Sequence, residues 1–172
     1  MAAEAPAPQP QPRATSLSGT VLALSGLALT AGTIHLVAAV QHTDVNISLP
    51  AFFAAVGIGQ LFVCWWIYRR PADRPMLVAA AIGSLVVALL WVISRTVGLS
   101  FGPETGRRSI GISDTIATIQ EVVFAAVAIG VARSPSRAEL RLAWLAGPLG
   151  VRFTFMLLSS TLFVAALGGH KH

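Results

Sequence analysis

The chain of 172 residues has one cysteine, Cys64, so neither an intramolecular disulfide nor a Cys-pair metal motif can form. Charge is scarce as well: 11% of residues are charged against 55% hydrophobic, and mean hydropathy is +0.73. A soluble domain would carry about a quarter charged residues, so lipid must be the solvent for most of this chain. Lysine is nearly absent, Lys171 being the only one, and the net charge of +5 rests on arginines clustered between apolar runs. That placement reads as a set of topology determinants and argues against nucleic-acid binding. A nucleophile elbow, a phosphate loop and the zinc-protease helix motif are all missing, so nothing marks an enzyme. The glycine-rich stretch Gly98 to Gly106 follows an apolar run and reads as a loop, not as a phosphate cradle.

Five apolar runs are present, about 17–41, 50–68, 75–98, 110–132 and 149–168. Most of them approach or exceed the roughly 20 residues needed to cross a bilayer. The hydrocarbon layer offers no water to the backbone, so each run must close its own hydrogen bonds as a helix. The expected fold is therefore all-α: a polytopic membrane bundle over 17–168 with five transmembrane helices. Residues 1–16 hold Pro6, Pro8, Pro10 and Pro12 among Ala and Gln and read as a disordered tail; 169–172 form a short tail at the other terminus. A cleavable signal peptide competes for the first run, since Arg13 precedes it, and would leave four spans. The run exceeds a usual signal core, which favours a retained helix.

Arginine asymmetry orients the bundle, because short basic loops stay in the cytoplasm. Arg69, Arg70 and Arg74 separate the second and third runs, and Arg133, Arg137 and Arg141 follow the fourth. The connection 42–49 has no Lys or Arg, whereas 99–109 carries Arg107 and Arg108 and is a partial exception. Alternation gives N-terminus in and C-terminus out. Gly147-Pro148 should break a helix, so 138–147 reads as an interfacial helix seating Leu140, Trp144 and Leu145 in the headgroup boundary, with Arg152 snorkelling beyond it. Trp65, Trp66 and Tyr68 fall at the same boundary. Gly26-x-x-x-Thr30 and Gly57-x-Gly59 offer close helix contact.

With this topology all four histidines, His35, His42, His170 and His172, gather on the outer side, together with Asp44, Glu104 and Asp114. A spacing of seven returns to nearly the same helix face, which pairs His35 with His42 and Asp114 with Glu121. At about 1.5 Å per residue, His35 and Glu121 each lie roughly 10 Å below their partners, at levels that can meet. An ionisable group in the hydrocarbon layer costs at least about 2.5 kcal/mol unless it pairs or reaches water. Glu121 therefore needs a partner, and His35, Arg95 and Gln60 are available. The pair Arg95–Asp114 is the simplest charge compensation near the outer boundary. An outward-facing polar pocket of His35, Gln60, Arg95, Asp114 and Glu121 is the expected site.

Three functional classes fit such a pocket. Imidazole and carboxylate are ligands for copper, zinc or iron, which makes His35, His42 and Glu121 candidate metal ligands. Against this, no His-x-x-x-His or Glu-x-x-His pair exists, and one helix cannot supply two facing haem ligands. Proton-linked transport of a small solute through Glu121 and His35 is the second class, with oligomerisation supplying walls that five spans lack. A non-catalytic accessory or assembly subunit of a larger membrane complex is the third.

Several segments resemble a group of small polytopic membrane proteins of unassigned function found mainly in actinobacteria. They are the His35 to His42 pair, the stretch from Phe52-Phe53 to Gln60, Ser94-Arg95-Thr96-Val97-Gly98-Leu99-Ser100-Phe101-Gly102-Pro103-Glu104, and Ile110-Gly-Ile-Ser-Asp114. The resemblance covers about 33–125. In that group proline often follows the leucine equivalent to Leu99 and an acid often follows the second histidine, so Ser100 and Thr43 depart from it. The resemblance implies the topology and the choice of residues, and names no activity. The membrane is read as the cell membrane of a bacterium, its inner membrane.

Overall fold

The computed structural model of the chain describes residues 19–43, 47–71, 73–98 and 110–134. The fifth apolar run, the segment 138–147 and both tails lie outside the described residues. Within them the fold is entirely helical: α1 (Gly19–Gln41), α2 (Ser48–Arg69), α3 (Arg74–Thr96) and α4 (Ile112–Arg133). All four are long and apolar enough to cross a bilayer, which makes the chain a multi-pass membrane protein.

Local chemistry sets the helix ends. Asp73 caps α3, its Oδ1 accepting from the Met76 N–H at 3.3 Å, with proline in the first turn. Its Oδ2 accepts from Trp66 Nε1 at 2.9 Å, which ties the end of α2 to the start of α3 across a short turn. The Arg69 and Arg70 guanidinium groups stand 5.7 Å and 5.1 Å from the ring centroids of Trp65 and Trp66. Charge and amphipathic rings thus share one boundary, as an interface between apolar and wet layers requires. At its far end α3 stops at Gly98, whose φ of 85° few side chains tolerate and whose N–H bonds to the Ile93 carbonyl at 2.9 Å.

Helix order around the bundle is α2–α1–α4–α3. α1 packs extensively on α2, α4 on α3, and α1 on α4, whereas α2 and α3 scarcely touch. The helices converge at the end that carries Arg69 and Arg74. There Leu24 and Ala28 of α1, Ile67 of α2, Leu77 and Ala81 of α3 and Phe124 and Ala128 of α4 form one apolar core. From Met76 to mid-bundle α2 and α3 leave a groove between them, beside that core.

The α1–α2 contact is close enough to need glycine. A Cβ on Gly57 would lie 2.8 Å from Leu36 Cγ and 2.9 Å from the Gly32 carbonyl oxygen. One on Gly32 would lie 3.1 Å from the Gly57 carbonyl oxygen. Backbone therefore rests on backbone, as small-residue seams allow in lipid. Of the expected pair Gly57-x-Gly59 only Gly57 serves this seam; around Gly59 a Cβ would meet nothing within 4 Å.

Candidate functional site

The seam between α1 and α2 carries Gln60 inward, one turn beyond Gly57, and α4 presents Glu121 at the same level. Glu121 is 2% exposed and His35 is 7% exposed, so both lie deep in the protein. His35 Nε2 stands 3.4 Å from Glu121 Oε1, and Gln60 Nε2 donates to that same oxygen. A carboxylate far from water thus receives its compensation from imidazole and amide on two neighbouring helices.

Above this centre, toward the His42 end, Phe53 of α2 separates the two histidines of α1. Its ring stacks on His35 with centroids 5.9 Å apart and meets the His42 ring at 5.4 Å. His42 turns Nδ1 to the Ala38 carbonyl oxygen of its own helix at 2.8 Å. Near the same end Arg95 Nη2 bonds to Asp114 Oδ2 and its Nη1 donates to Ser94 Oγ at 3.1 Å. The guanidinium also lies 5.7 Å from the Trp91 ring centroid.

The polar residues expected to form a single pocket thus form two groups. His35, Gln60 and Glu121 meet at mid-bundle; Arg95 and Asp114 pair nearer the end of α3. Among the described residues no group of three or more His, Cys, Asp or Glu side chains is gathered as a metal ion would require. His170, His172, Asp44 and Glu104 lie outside the described residues.

The groove between α2 and α3 reaches the mid-bundle group. Its volume is about 340 Å³, and its walls are mainly apolar, with Val56 and Val63 on one side and Ala79, Ala80 and Val87 on the other. Gln60, Ser84, Gln120 and Glu121 are its polar lining. Gln120 was not among the residues the sequence brought forward. It is a second buried amide beside Glu121, and the adjacent Gln-Glu pair inside an apolar run was the available signal. The carbonyl oxygens Oε1 of both Gln60 and Gln120 are buried and accept no hydrogen bond. Gly59 and Gly83 also line the groove, and a Cβ at either would meet nothing within 4 Å.

Compared with known proteins, the chain matches no family model, no curated protein and no solved structure.

Proposed function

We propose that this protein binds a small, largely apolar molecule in the groove between α2 and α3, and that the Glu121–His35 couple exchanges a proton as the site fills. The observation that carries the reading is Glu121: an acid 2% exposed in a span, on the floor of a groove of about 340 Å³ that can admit a ligand. Apolar walls supply affinity by burial, and a few placed polar groups supply orientation. No other charged side chain lines the groove among the described residues. A change of charge there must therefore be met by Glu121 and His35. Under the five-span, N-in arrangement expected from the arginines, this groove lies at mid-membrane and extends toward the cytoplasmic side, since its α3 lining runs from Met76, two residues past Arg74, to Val87.

A metal-handling reading has less support. His35 and Glu121 offer two ligand types, but Glu121 Oε1 already accepts from Gln60, and His42 directs Nδ1 to its own helix. The accessory-subunit reading is favoured by one observation, the scant contact between α2 and α3, since a helix of a larger complex could lie there.

The test is a compound screen by thermal stabilisation of the purified protein, run in parallel on Gly83→Leu. A ligand of the groove raises the melting temperature of the native protein and not of the variant, and releases or takes up a proton that is lost in Glu121→Gln. Compounds that stabilise both proteins equally, with proton exchange unchanged by Glu121→Gln, would overturn the reading. Co-purification of a stoichiometric partner that Gly83→Leu displaces would favour the accessory role.

A further inference from the structure

Resting on that reading of the groove, we infer that its ligand carries a protonated amine on an apolar body. Two buried acceptors, Gln60 Oε1 and Gln120 Oε1, have no donor. Both belong to side chains lining the same groove, with the Glu121 carboxyl group beside them. Burying a carbonyl oxygen without a donor is costly, and the missing group is a donor by sign. With Glu121 ionised, Gln60 Nε2 faces the carboxylate oxygen and Oε1 is the atom left over; among the described residues no hydrogen bond fixes the Gln120 amide, so its Oε1 is free to turn to a donor.

An ammonium group answers this set. It brings three N–H donors and no acceptor, to be met by the two amide carbonyls and the Glu121 carboxylate. Its charge is answered by the one acid of the groove, and the proton held between Glu121 and His35 leaves as it arrives, so net charge in the span is preserved. An anion would instead meet a carboxylate and two carbonyl oxygens with no cation on the groove wall. The mainly apolar lining fits a ligand whose remaining surface is hydrocarbon or aromatic. Ser84, buried on α3, is the one hydroxyl of the lining and can serve as donor or acceptor.

The experiment compares three probes of one shape, phenethylammonium, 2-phenylethanol and phenylacetate, by titration calorimetry on the full chain in nanodiscs, with Gly83→Leu as the blocked groove. Phenethylammonium should bind at least about tenfold more tightly than the alcohol, a factor a charge-assisted hydrogen bond supplies, and phenylacetate should bind weakest. Gln120→Leu, which leaves the Gln60–Glu121 bond in place, and Gln60→Leu should each abolish most of the ammonium preference while leaving the alcohol within about threefold. If the alcohol or the anion binds in a Gly83→Leu-sensitive way and the ammonium is not favoured, the groove reading stands and the amine falls. An ammonium preference that survives both glutamine variants overturns the assigned contacts. If no probe shows Gly83→Leu-sensitive binding, the groove reading and the amine fall together.

Discussion

The two sides of α2 teach opposite lessons about helix contact in lipid. Toward α1, Gly57 and Gly32 bring backbones so near that Gly57 has no room for a methyl group and Gly32 has room only if its neighbours give by a few tenths of an ångström. Toward α3, the neighbouring Gly59 faces open space, as does Gly83 across the groove. The same residue type closes one seam and leaves the other open. Hydrocarbon tails are as apolar as leucine, so helices gain little by merely hiding apolar surface; fit and polar bonds decide where they join. The α1–α2 seam has the fit of the glycine contact, and both of its helices are tied to α4 by the bonds from His35 and Gln60 to Glu121. α2 and α3 share the Trp66–Asp73 tie at one end, and their bodies separate beyond it.

The sharpest way to break this contrast is Gly57→Leu. Its side chain must push aside Leu36 and the Gly32 backbone, and overpacking of this kind costs about 3 kcal/mol. Chemical denaturation in detergent followed by circular dichroism would register it, together with loss of the Gln60–Glu121 contact. Next is Glu121→Ala, which strands His35 and Gln60 and should destabilise by about 2 kcal/mol in the same assay. Replacing His35, Gln60 and Glu121 together with leucine should cost less than the single change, because no unpaired polar group remains. Asp114→Asn removes the charge partner of Arg95, whose side chain is 10% exposed against 40% for Asp114, and should cost about 1 kcal/mol, a loss that shrinks as salt is raised. Smallest, and opposite in sign, is Gly83→Ala: with free space around the new methyl group, the gain in helix propensity should stabilise by up to about 1 kcal/mol. Equal effects at Gly57 and Gly83 would erase the distinction between the two sides of α2.

Four of the expected spans match observed helices to within two residues at every boundary, α1 for instance beginning at Gly19 where the apolar run begins near residue 17. Bilayer thickness sets the length of an apolar run, so the run itself records the boundary. The order of helices around the bundle left no such record. In water a buried stripe stands out against a polar face, but a lipid-facing side chain is as apolar as a core one, and the pattern that would reveal neighbours is erased. Glu121 was legible as a residue in need of a partner because an acid in hydrocarbon is so costly. Of the three candidates for that partner, His35 and Gln60 contact it, while Arg95 contacts Asp114. The near-identical depth of His35 and Glu121 followed from helix rise, whereas the division of the polar residues into two groups depended on which faces meet. Gln120 lies off the helical stripe that joins Asp114 to Glu121, so the spacing of seven did not single it out, whereas Gln60 entered as a partner for Glu121. The fifth span and the orientation of the bundle concern residues and surroundings beyond the described helices.

A ligand site inside a membrane bundle changes what concentration means for this protein. If the ligand enters between α2 and α3 from the acyl chains, the relevant dose of a compound is the amount dissolved in the leaflet. Two molecules with identical intrinsic fit would then differ in apparent potency by their ratio of lipid to water solubility, and raising the amount of lipid in an assay would weaken the apparent affinity of a strongly partitioning one.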